Sequence, residues 1–236
     1  YGISYLTIAQ ANNIAYPYYI YAGQQLWIPG TGAATATPGS TAAPPAAGSF
    51  GYGIQVHLLT QDYDQVLDAV QDLGLGWVKL QIEWSVFEPT RGNIDWGTLD
   101  GIVNAVKSRN LHLLFSVVHA PDWARSTTVD NGPPANFADY SAFVGALAQR
   151  YRGRVNAYEI WNEQNLSREW RGDTLSAGRY VPLLQGAYQA IKAQDAAAVV
   201  VAGALAPTGI NDGVNAIDDR VYLRGMYQNG VASVSD

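Results

Sequence analysis

The chain has 236 residues, 48% of them hydrophobic, enough for a sizeable core and a small appendage. A net charge of −6 and an isoelectric point near 4.9 argue against nucleic acid or an anionic membrane as partner. The absence of cysteine excludes disulfides and thiolate metal sites, and no apolar run approaches the roughly 18–20 residues of a membrane span. No signal peptide is visible. Because Tyr1 lacks a preceding Met, the chain is expected to begin inside a longer protein.

Residues 1–49 contain no Asp, Glu, Lys, Arg or His. Within them, Leu6–Asn12 reads as a short helix ended by Asn12 and Asn13, and Gln24–Pro29 as a short strand closed by Pro29 and Gly30. Residues 31–49 consist only of Ala, Thr, Pro, Gly and Ser. Such a stretch has too little apolar bulk to offset its conformational entropy and reads as a linker, with a reach on the order of 60 Å when extended. Residues 1–30, with Tyr1-Gly2-Ile3-Ser4, Ile8-Ala9, Gly23-Gln24, Leu26 and Ile28-Pro29, resemble the C-terminal part of a LysM module. The first strand and most of the first helix of that family are missing, and Tyr16 replaces the usual Asn before the proline. The resemblance implies binding of a GlcNAc-containing glycan such as peptidoglycan or chitin, and an extracellular or cell-wall setting. Tyr16, Tyr18, Tyr19 and Tyr21 either pack on sugar rings or cover a tiny core.

From residue 50 onward strand and helix patterns alternate. Strands are predicted at Gly51–His57, Gly76–Ile82, Leu111–Val118, Val155–Trp161 and Ala198–Ala204. Helices follow over Asp62–Leu73, around Leu99–Val106, Phe137–Tyr151 and Tyr180–Ile191, and over Asp218–Asn229, each with apolar residues at helical spacing. Five strand–helix units without hairpin signals imply a parallel sheet. Periodicity leaves two closures open, a doubly wound sheet or a (β/α)8 barrel.

Polar and aromatic residues recur where the strands end: His57, Glu83-Trp84, His119, Trp123 and Asn162-Glu163. In a barrel these ends share one face, where active sites sit; an open sheet would spread them along an edge. Their distribution favours the barrel. Glu163 leads the candidates for catalysis, because a carboxylate at the end of a buried strand is held rigidly yet reaches solvent. Glu159, Glu88, Asp95, Glu83 and His112 read as structural, with Asp95 an N-cap.

Three motifs then carry a second resemblance. Trp84 with Phe87-Glu88-Pro89 and Ile94-Asp95-Trp96, then Pro121-Asp122-Trp123-Ala124, then Trp161-Asn162-Glu163, resemble the N-terminal five-eighths of a clan A glycoside hydrolase barrel, nearest families 39 and 5. The resemblance implies that residues 50–236 are an incomplete (β/α)8 TIM barrel that hydrolyses O-glycosidic bonds of a polysaccharide or cell-wall glycan. Glu163 would be the acid/base of a retaining mechanism, and Asn162 would bond the 2-hydroxyl of the sugar. Trp84, His119, Trp123 and Trp161 would shape sugar subsites; His57 is either a subsite ligand or a core histidine. The family nucleophile follows the seventh strand, so it is expected outside this chain, and the piece alone is expected to be inactive. The first and fifth strands are expected to be left as open edges. A non-catalytic glycan-binding protein on a hydrolase scaffold is the alternative.

Other chemistries fit poorly. Gly51-Tyr52-Gly53 lacks the third glycine of a dinucleotide fingerprint, and three scattered histidines make no zinc site, so neither cofactor nor metal is implied. Asn165-Leu166-Ser167 is a formal glycosylation acceptor beside the proposed site.

Overall fold

The computed structural model describes residues 5–14, 26–29 and 51–236. Two compact units divide between Thr41 and Ala42. The expected linker and the four neighbouring tyrosines lie outside the described residues.

In the first unit, α1 (Tyr5–Ala11) corresponds to the predicted helix. Leu26–Ile28 form no strand among the described residues. The Asn12 side chain instead satisfies the backbone of Trp27 as a strand partner would. Its amide nitrogen donates to the Trp27 carbonyl at 2.7 Å, and its oxygen accepts the Trp27 N–H at 2.6 Å.

The second unit runs β1 (Gly53–Val56), α2 (Tyr63–Asp72), β2 (Trp77–Glu83), α3 (Trp84–Phe87), α4 (Trp96–Ser108), β3 (His112–Val118), α5 (Phe137–Arg150), β4 (Ala157–Asn162), α6 (Ala177–Gln194), β5 (Val199–Ala204) and α7 (Asp219–Gln228). The one-turn helix α3 has no counterpart in the predicted elements. The five longer helices each start on a side chain that accepts N–H groups otherwise left unpaired: Asp62, Asp95, Asn136, Ser176 and Asp218.

All five strands pair in parallel, in the strictly sequential order β1-β2-β3-β4-β5. Right-handed crossovers in that order place every helix on the same face of the sheet, whereas a doubly wound sheet needs the order to reverse. The winding is therefore that of a (β/α)8 TIM barrel, of which these are five units. Alternation along β2 shows the two faces. Val78, Leu80 and Ile82 are buried beneath the helices, while Trp77, Lys79, Gln81 and Glu83 on the other face are partly exposed. Phe115, Tyr158, Ile160 and Val200 continue the helix-side core, with Leu99, Phe143, Leu147 and Leu184 packed above them. Among the described residues β1 pairs only with β2 and β5 only with β4, and Ile54 and Val199 on these edges are exposed. No helix of the described residues is long and apolar enough to cross a membrane.

Candidate active site

Glu163 follows β4 directly, and two residues at this strand end adopt left-handed backbone conformations: φ is +72° at Trp161 and +53° at Glu163. Neither is glycine, so both conformations are strained and need support from their surroundings. That support is dense. The Glu163 N–H donates to the Ala204 carbonyl at 2.7 Å. The Tyr180 hydroxyl of α6 donates to the Ile160 carbonyl at 2.7 Å and accepts the Gly203 N–H at 2.6 Å.

Gly203 is needed here. A Cβ at this position would lie 2.7 Å from the Ile160 carbonyl oxygen and 2.8 Å from that of Trp161. Beyond Glu163, the wholly buried Gln164 and Asn165 staple the loop to β5 and its following segment. Gln164 donates to Gly203, and Asn165 donates to Ala206 and Ile217 while accepting from Ala206. Asn165 is thus enclosed and is no glycan acceptor in the folded protein.

Around Glu163 the strand ends gather charge. The Glu163 side chain is 32% exposed, with Oε2 2.8 Å from Nη2 of Arg168. Nε of Arg168 lies 3.5 Å from Oε1 of Glu169, whose Oε2 is 3.1 Å from Nε2 of His119. On the far side of the imidazole, Nδ1 is 3.7 Å from Oε2 of Glu83 at the end of β2. The hydrogen bond that Arg168 donates to Glu163, and then the Coulombic pull of that carboxylate, raise the pKa of Arg168 above its ordinary value. Three strands therefore deliver Glu83, His119 and Glu163 to one face, and the loop after β4 adds Arg168 and Glu169. A half-exposed carboxylate on a rigid strand end can give and accept a proton in such a setting.

Other sequence-derived candidates divide by exposure. Asn162 ends β4 and is half-buried, beside Glu163. His57 is exposed after β1. Trp123 is half-buried, donates to the Glu88 carbonyl at 2.9 Å, and carries the Arg91 guanidinium 4.5 Å from its ring centre.

Trp84 and Trp161, in contrast, are wholly buried and offer no ring face to a sugar. Trp84 stacks on Phe143 and donates to Glu88. Strand parity would set Trp161 on the face of Glu159. Its left-handed backbone accompanies a packing against Tyr140 of α5 and Trp170 instead. These two indoles support the strand ends rather than line a cleft. Arg168 and Glu169 were not singled out from the sequence. The only available signal was a charged pair five and six residues after a catalytic candidate.

Among the described residues, cavities lie elsewhere: about 660 Å³ beside Tyr63, Asn104 and Arg109, about 560 Å³ beside Val86, Pro89 and Trp96, and about 320 Å³ beside Ser141, Gly145 and Ala190. Among the described residues no group of three or more His, Asp or Glu side chains is arranged to hold a metal ion.

Comparison with known proteins agrees with both units. Residues 1–29 match the family model of the LysM domain. No curated protein sequence matches the chain. Among solved structures, a family 39 glycoside hydrolase from Bacteroides cellulosilyticus WH2 is similar at 18% identity and a TM-score of 0.53, covering 64% of this chain and 30% of that one. The GH39 enzyme of Xanthomonas axonopodis pv. citri is similar at 19% identity and a TM-score of 0.53, covering 68% and 36%. GH5_18 from Streptomyces cattleya, solved with GlcNAc, gives 19% identity and a TM-score of 0.50, covering 61% and 40%. At these identities the likeness establishes the barrel fold. The chain spans 30 to 40% of the length of these structures.

Proposed function

We propose that residues 50–236 carry the proton-transferring half of a retaining glycoside hydrolase acting on a polysaccharide or cell-wall glycan. The observation that carries this reading is Glu163 itself: a half-exposed carboxylate, held by a strained strand end, among the charged residues of three parallel strands. In such a mechanism one carboxyl group protonates the glycosidic oxygen and later activates water, while a second attacks the sugar. Glu163 takes the first role, and the nucleophile lies outside this chain. In this reading Asn162 bonds the sugar next to the broken linkage, and His119 and Trp123 border that sugar. The similar solved structures of families 39 and 5 support the class.

The LysM match supports a second, anchoring role for the first unit on GlcNAc-containing glycan, outside the cell or at its wall. Joined by a linker, such a unit raises the concentration of the barrel at its polymer.

The Arg168–Glu163 contact favours one rival, a glycan-binding protein without catalysis, because it occupies the candidate acid. Turnover by the full-length protein separates the two. With Glu163→Gln, hydrolysis of an unactivated oligosaccharide is expected to fall about 10²–10⁴-fold, the usual worth of a general acid. Unchanged turnover would overturn the assignment, and binding without hydrolysis by the wild type would select the rival.

A further inference from the structure

Arg168 stands between two carboxylates of unlike exposure. Glu169 is fixed: its carbonyl accepts the Trp161 indole N–H at 2.9 Å, its side chain is 18% exposed, and Oε2 touches His119. Glu163 opens toward solvent, and Arg168 itself is 68% exposed. The shorter contact, 2.8 Å, is to Glu163, and the longer, 3.5 Å, is to Glu169. The guanidinium occupies Oε2 of Glu163, and that oxygen cannot face a leaving glycosidic oxygen while it is held there. The contact to Glu163 therefore has to open before proton donation.

We propose that Arg168 is a positioning residue that holds Glu163 in the free protein and swings onto Glu169 when a sugar binds. This rests on the glycosidase reading above. The swing needs only side-chain rotation, because Gln164, Asn165 and the Trp161 indole hold the loop backbone in place. Release frees Oε2 of Glu163 to take up a proton from solvent water and deliver it to the glycosidic oxygen. Glu169 keeps the displaced cation paired, so that no bare charge is left beside a neutral sugar. The other charged groups facing the pair are His119 after β3 and Glu83 at the end of β2.

Two measurements on the full-length protein test the clamp. The first is independent of turnover. Arg168→Gln uncovers Oε2 of Glu163, so its labelling by a carbodiimide at fixed pH is expected to rise by up to about fivefold, the worth of an exposed ion pair, read by peptide mass spectrometry. Arg168→Lys, which keeps the charge, is expected to return labelling toward the wild-type level. The second is steady-state kinetics, with kcat read against KM. Glu169→Gln, which removes the open position, is expected to lower kcat with KM unchanged. Unchanged labelling overturns the clamp, and raised labelling with kcat unchanged in Glu169→Gln overturns the switch. If Glu163→Gln leaves turnover intact, the glycosidase reading fails, and the labelling still decides whether Arg168 holds Glu163.

Discussion

Glu159 and Glu163 lie on or just beyond the same strand, four residues apart, and meet different fates. Glu159 sits within the sheet, 5% exposed, beside the buried Ser116 in register, and it is paired with Lys79 of β2 at 2.5 Å. Glu163 lies just past the last ladder pair, with a largely exposed arginine as its partner. A carboxylate enclosed in a sheet needs a permanent counter-charge, because an isolated buried charge is too costly. At the strand end water shares the solvation, so the counter-charge can come and go. The same chemical group becomes a fixed structural element in one place and a candidate proton carrier in the other.

Removing the fixed partner should have the largest effect on stability. Lys79→Met leaves Glu159 buried without a cation, and denaturant unfolding is expected to show a loss of about 3–5 kcal/mol. Replacing both members, Lys79→Met with Glu159→Leu, should recover most of it. A loss far below 1 kcal/mol in the single variant would mean that Glu159 does not need the pair.

Gly203→Ala acts next, at the point where the two environments join. Its methyl group would press on the Ile160 and Trp161 carbonyls, and the expected cost is about 1–3 kcal/mol. Because those carbonyls lead into Glu163, kcat should also fall, by about 10²-fold for a displacement near 1 Å. Full activity would show that the strand end tolerates other geometries.

The smallest effect lies far from the comparison and checks its electrostatic logic on an exposed group. Asp212 accepts the N–H groups of Val214, Asn215 and Ala216 and the Asn215 amide, which hold its carboxyl below the usual range. A carboxyl with a depressed folded pKa stabilises above its unfolded value of about 3.9 and loses that contribution as pH falls through the folded one. Exchange protection of those three amides is therefore expected to persist below pH ~3.9. Protection already lost there would contradict the hydrogen-bonded turn.

Much of the fold was legible because each helix carries an apolar stripe and each strand an apolar run. The predicted bounds of α5 and β3 differ from the observed ones by single residues. Strand ends were harder to read. Parity fails at Trp161, where φ is positive and the indole joins the helix side, and α3 turns Trp84 into the core within one turn of β2. Gly203 was a readable sign of this, since glycine inside a strand marks close backbone approach. Leu26–Ile28 misled for another reason: the strand-like pattern is met by the Asn12 side chain. Glu163 could be picked out from its position at an apolar strand end. Arg168 and Glu169 could not, because a charged pair in a loop has no periodicity to betray its partners.

The most direct test sets the two glutamates side by side in the full-length protein, measuring kcat on an oligosaccharide and the melting temperature for each Gln variant. Glu163→Gln is expected to lose turnover with its melting temperature unchanged, and Glu159→Gln to lose stability while each folded molecule keeps its turnover. Full turnover in Glu163→Gln, or turnover lost at unchanged stability in Glu159→Gln, would contradict this division of labour between the two carboxylates.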